Sequence, residues 1–212
     1  MTVNQRLTDL DNIGKEFNIL LTKLLEYTKD KNHSIRYDAI ELIPHYSMVL
    51  DVLIDALNDK NSLVRVQALT NIGKLPSMDM IICNVAKLLK DRNSLVKAYA
   101  IEVLGDNNAV QYKQEIEAML KKTKNDEIKI RIYYTLIKFG DIQYINHLFE
   151  FLNNDFYRVR IATANTLFYL VNKENKQVIL DKLQQRLTSE NEYAVRETLK
   201  TTILDIFKLE LQ

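Results

Sequence analysis

Glycine is nearly missing from this chain, with 4 in 212 residues, and proline occurs only twice. Hairpins and tight strand connections draw on both residues, so their scarcity excludes a sheet-rich architecture and favours helices joined by short turns. Tryptophan is absent and Cys83 is the single cysteine, which excludes an internal disulfide and a multi-cysteine metal site. An excess of one charge is lacking too. The 29 lysines and arginines stand against 28 aspartates and glutamates, so no phosphate-backbone footprint is visible. No apolar run approaches the roughly 20 residues of a membrane span. Residues 1–11 are polar, without the apolar stretch of a secretory signal, which makes a cytoplasmic protein the expectation. Glycine-rich phosphate loops, GxSxG elbows and HExxH pairs are all missing. What the chain does have is apolar material, 47% hydrophobic against 27% charged, enough to bury a core and without a disorder signature.

It also has a motif that returns six times: an acid or amide followed six positions later by a base. The pairs are Asp30/Arg36, Asp59/Arg65, Asp91/Lys97, Asn125/Arg131, Asn154/Arg160 and Glu190/Arg196, with a mean period of 32 residues. A fixed period of that size marks a stacked-repeat protein. Each period splits into two helical patterns. Helix A is expected over 15–29, 46–58, 77–90, 111–124, 141–153 and 175–188. Helix B is expected over 34–43, 63–73, 94–105, 127–140, 156–171 and 193–208, with Ser62 a candidate N-cap. Gly73, Gly105, Gly140 and, in the first repeat, Pro44 stand where B helices should end.

The segments DKNHSIRYDAIELI, DKNSLVRVQALTNIG and DRNSLVKAYAIEVLG resemble HEAT repeats, in particular the short bacterial kind related to bilin-lyase-type repeats. The resemblance covers roughly 15–209. It implies an all-α fold, a right-handed superhelix (solenoid) of about six helix pairs with the B helices on the concave side. One domain over 1–212 is expected, with 1–14 as an N-terminal cap and six repeats over about 15–209.

The acid of each motif falls at the A–B turn, where the first amides of helix B lack partners and favour negative charge. The base falls in the first turn of helix B, where an arginine fork can reach a neighbouring turn. In proteins of the resembling kind these residues form an inter-repeat ladder. The expected ladder is therefore Asp30, Arg36, Asp59, Arg65, Asp91, Lys97, Arg131, Arg160 and Arg196, a structural set. Leu204, Ile206, Phe207, Leu209 and Leu211 are read as a final core layer, with a contact surface for a partner as the alternative. His33, His45 and His147 lack metal-ligand spacing, and Cys83, inside MDMIICNVAKLL, is read as a buried thiol. Neither a catalytic set nor a cofactor site is expected.

A binding surface is expected two and five residues after each base, on the concave side: Asp38, Glu41, Gln67, Tyr99, Glu102 and Tyr133, an acidic and aromatic stripe suited to a protein with a basic surface. The function expected is a non-enzymatic protein-binding scaffold or adaptor. Alternatives are a toxin-neutralising, immunity-type binder, or a nucleic-acid-binding or DNA-repair protein of the helical-repeat kind. The last of these would use a basic edge formed by Lys121, Lys122, Lys124, Lys129 and Arg131 with Arg158 and Arg160. A lyase activity is suggested by the resemblance alone.

Overall fold

The computed structural model describes residues 16, 18–43, 49–75 and 81–209; the expected N-terminal cap, Pro44 and His45 lie outside them. All regular structure among these residues is helical, and it comes in six A–B pairs. Helix α1 (18–27) precedes α2 (His33–Leu42), α3 (Leu50–Ala56) precedes α4 (Ser62–Ile72), and α5 (Ile82–Lys87) runs through a 3₁₀ turn into α6 (Ser94–Asp106). The later pairs are α7 (Lys113–Leu120) with α8 (Asp126–Lys138), α9 (Ile145–Phe151) with α10 (Tyr157–Tyr169), and α11 (Lys176–Ser189) with α12 (Tyr193–Lys208). Helices α3, α5, α7 and α9 are shorter than the periodicity suggests, because part of each expected turn is 3₁₀ or lies outside the described residues. No helix among the described residues is long and apolar enough to cross a membrane.

Asparagines start the first four B helices. Asn32, Asn61 and Asn125 are N-caps whose side chains accept from Ser34, Leu63 and Glu127 amides, and Asn93 accepts from Leu95. Each satisfies an amide that the helix itself cannot reach. Ser62 is thus the first helical residue rather than the cap. Two glycines have definite reasons. Gly140 adopts φ +100 after α8, in the region that disfavours side chains. Gly105 lies one residue inside α6, where a Cβ would fall 2.6 Å from Thr135 Oγ1 and 3.1 Å from Thr135 Cα.

The chain divides into two compact units, Met1–Val103 and Leu104–Gln212. In the first, α4 packs on both α2 and α3, burying Ile40, Leu53, Leu69 and Ile72. In the second, α8 packs on α7, α9 and α10, and α12 packs on α10 and α11. Its core holds Ile130, Leu148, Leu167, Ile179, Leu183, Leu199 and Ile206, each fully or almost fully buried. Burying one such side chain stabilises by about 1.5–3 kcal/mol. No single pair closes its own core: α2 packs on α4, α8 on α10 and α10 on α12, which is the energetic logic of a repeat array. The expected final layer is split: Ile206 is buried, whereas Leu204 and Phe207 are 57% and 56% exposed. Leu209 is half-buried, and Leu211 lies outside the described residues.

Candidate functional site

The A–B turns of the first unit form rungs with one plan. Arg36 donates from Nε and Nη2 to the Asp59 carboxylate at 2.6 and 2.8 Å, and from Nη1 to the carbonyl of Asp30 in its own turn at 2.7 Å. Arg65 repeats the arrangement with Asp91 at 2.8 and 2.8 Å and the Asp59 carbonyl at 2.6 Å. Asp30, Asp59 and Asp91 each accept the amide two residues on, which belongs to the N-cap asparagine. One arginine therefore ties its own turn to the next, and one aspartate holds both the arginine and the cap. Burial opposes the charge of Asp59 and Asp91, but the arginine forks and the Asn61 and Asn93 amides outweigh it and hold both carboxyls below their ordinary range.

The second unit varies the plan. Arg160 forks onto Glu190 at 2.7 and 2.9 Å and reaches the Asn154 carbonyl at 2.7 Å. Glu190 also takes two bonds from Arg186 and the amides of Asn191 and Glu192. Burial works against its charge, yet the bonds from Arg160, the Glu192 amide and Arg186 prevail and lower its pKa to about 2. Arg196 bonds the carbonyls of Glu190 and Leu187.

One expected ladder residue is corrected. The cation stands four residues after the N-cap in Asn32/Arg36, Asn61/Arg65, Phe156/Arg160 and Glu192/Arg196; Asn125 is the N-cap of α8, so the corresponding cation is Lys129 and not Arg131. The turn residue that corresponds to Asp30 is Thr123, whose Oγ1 accepts the Asn125 amide. Lys129 donates to Asp126 at 2.7 Å, and Asn154 donates to the other oxygen of the same carboxylate at 3.0 Å. Lys97, the cation of α6, is half-buried.

The same two-residue shift explains Tyr133. It stands at a core position of α8, 8% exposed, stacked on His147 at 4.9 Å and Tyr144 at 5.7 Å with Phe151 edge-on. Burial pushes its phenol above the ordinary value. Leu136, five residues after Arg131, is fully buried. Gln67 is buried for a different reason: its amide donates to Asn71 Oδ1 at 3.0 Å, and Asn71 donates to the Ile40 carbonyl at the end of α2 at 2.5 Å. Gln67 and Tyr133 are thus packing residues. Asp38 and Glu41 are exposed on α2, while Tyr99 and Glu102 are half-buried on α6.

The face of α2 holds more than the acidic pair. Ile35 is 39% and Leu42 69% exposed, and 35, 38 and 42 follow helical spacing, so two aliphatic side chains flank Asp38 on one stripe. Sequence reasoning passed over both, because an apolar residue at helical spacing reads as core. Their positions directly before Arg36 and directly before the core residue Ile43 were the available signal.

Elsewhere the side chains scatter. Cys83 is exposed on α5, contrary to the buried thiol expected. His33 is exposed, and among the described residues no cluster of histidine, cysteine or carboxylate side chains could hold a metal ion. Lys121, Lys122 and Lys124 are exposed, but Lys129 is engaged by Asp126 and Arg160 by Glu190, so the basic edge does not carry all its expected members. The hollows among the described residues include one of about 410 Å³ at the turns among Lys60, Ser62 and Arg92, and one of about 420 Å³ between α9 and α11.

A HEAT-repeat family model matches residues 84–168. None of the curated proteins matches the chain by sequence. Among solved structures, the chain is similar to the complex of CpcE and CpcF of phycocyanin lyase from Nostoc sp. PCC7120. That match has 13% identity and a TM-score of 0.51 and covers 86% of this chain and 93% of that one. An engineered protein matches at 17% identity and TM-score 0.48, covering 88% and 96%. A designed armadillo repeat protein matches at 16% and 0.45, covering 88% and 99%. At such identities the likeness concerns the fold: this is an all-α, helical-repeat chain, and its residues 84–168 match the HEAT-repeat model.

Proposed function

We propose that the chain is a non-enzymatic protein-binding scaffold whose B-helix face, centred on α2, takes a basic amphipathic segment of a partner protein. The observation that carries this reading is the stripe Ile35, Asp38, Glu41 and Leu42. Two like charges three residues apart disfavour a helix by about 0.2–0.5 kcal/mol, and neither Asp38 nor Glu41 has an ion-pair partner among the described residues to offset that. Two exposed aliphatic side chains beside them add an apolar contact. An acid between two aliphatic groups suits a helix presenting lysine or arginine between apolar residues. Tyr99 and Glu102, at the corresponding positions of α6, would extend the surface with the same chemistry. HEAT-type scaffolds present such faces as rigid surfaces, so binding needs little ordering of the scaffold itself.

The test is capture from a lysate with wild type and with an Asp38→Lys/Glu41→Lys variant that melts at the wild-type temperature. A partner held by wild type, released by the variant and weakened by salt supports the reading. Undiminished capture by the variant overturns it.

A further inference from the structure

The six B helices can be aligned on the cation four residues after their N-cap, and that alignment isolates one face of α12. One residue beyond the cation stand Tyr37, Val66, Ala98, Ile130 and Ile161; four beyond it stand Ile40, Leu69, Ile101, Tyr133 and Ala164. All five in the second group are buried. Where the neighbours pack directly, the next B helix lies against this side: α4 on α2, α10 on α8 and α12 on α10. These two positions are therefore the stacking face of a B helix. In α12 they are Glu197 and Lys200, with side chains 46% and 48% exposed and joined at 2.7 Å. On the same stripe lie Tyr193, 75% exposed, Leu204, 57%, and Phe207, 56%. The spacing 193, 197, 200, 204, 207 alternates four and three, which is the seam of a paired helix. A stacking face that carries three large exposed apolar side chains around one ion pair is built to meet another helix.

We propose that this face pairs with α12 of a second copy, antiparallel, about a twofold axis. Read in reverse, the stripe is complementary to itself. Tyr193 then faces Leu204 of the second copy, and Glu197 faces Lys200 of the second copy, each contact occurring twice. A parallel pairing would instead set Glu197 against Glu197 and Lys200 against Lys200. The charges select the orientation, and the apolar ends supply the contact area. A single helix pair buries less than the roughly 1,200 Å² of a strong interface, so the association is weak and concentration-dependent. This pairing uses the second unit and does not depend on the reading of α2.

Light scattering coupled to size exclusion, run on the full chain from micromolar to sub-millimolar concentration, tests it. Wild type should rise from 24.8 kDa towards twice that mass. Glu197→Lys alone and Lys200→Glu alone should each associate roughly tenfold more weakly. An equimolar mixture of those two variants should regain association, because each then opposes the complementary charge. Leu204→Ser/Phe207→Ser should remain monomeric with unchanged helicity. A wild type that stays monomeric throughout overturns the proposal. So does a dimer equally strong in the single charge variants, or a mixture no tighter than its components.

Discussion

The two units solve one problem with different atoms. Along the turns of the first unit, each arginine meets an aspartate supplied by the next repeat, Arg36 to Asp59 and Arg65 to Asp91. In the second, the residue at the place of that acid is Asn154, and the rung closes through a relay: Lys129 and Asn154 both donate to Asp126. One repeat later an acid returns, as Glu190 with two arginines on it. What both units keep, among the described residues, is a partner for every buried polar side-chain atom at the turns. The identity of the charged residue is negotiable; a partner for each buried polar group is not. Arginine serves two turns at once because its planar fork presents several donors in fixed directions. Lysine, with one head group, serves one, and the neighbouring carboxylate must move to it.

The contrast can be broken most severely at Tyr133. The corresponding position in α4 is Leu69, also buried. Tyr133→Ala should destabilise the chain by about 3–4 kcal/mol in urea unfolding, and Tyr133→Leu by distinctly less, since it retains most of the apolar volume. Next comes Arg160→Met, which strips the fork from a carboxylate only 2% exposed; a loss of about 3 kcal/mol is expected from an uncompensated buried charge, with Arg186 limiting it. The same site sets a pH dependence. Glu190 is lowered from 4.5 to about 2 in the folded chain, so its stabilisation is fully present above pH 4.5 and is lost as pH falls towards 2. The loss is up to about 3 kcal/mol. Unfolding of wild type and Glu190→Gln across that range checks this, and the variant should show the flatter curve. The smallest effect converts one rung type into the other. Asn154→Asp sets an acid against Asp126 and should cost about 1 kcal/mol, which Asp126→Asn in the same chain should largely restore.

The repeat architecture was legible because it is written redundantly: apolar spacing, an acid–base interval of six and glycine punctuation all recur with one period. The register of the fourth repeat was not, and the reason is local. Lys129 and Arg131 are both basic, and Asn125 lies six before Arg131, which imitates the interval. The asparagine four residues before each of Arg36, Arg65 and Lys97 was the better marker, since capping geometry fixes where a helix begins more tightly than charge does. The burial of Gln67 was illegible for another reason. Its bond to Asn71, and that residue's bond to Ile40, join helices 31 positions apart, and no local pattern reports a contact of that range. Leu204 and Phe207 show the opposite limit: apolar periodicity records that a face seeks cover, without recording whether the chain itself provides it.

The Asp126 relay has a consequence for how such a chain can be cut and rejoined. In the first unit, excising residues 59–90 would bring Asp91 to the place of Asp59, and Arg36 would find the same kind of neighbour. In the second, excising 154–189 would bring Glu190 beside a carboxylate that Lys129 already occupies, and two acids would confront each other. The repeats therefore obey a joining rule, in which a turn that keeps its own acid accepts only a donor after it. Loss and duplication along this chain are allowed at some seams and resisted at others.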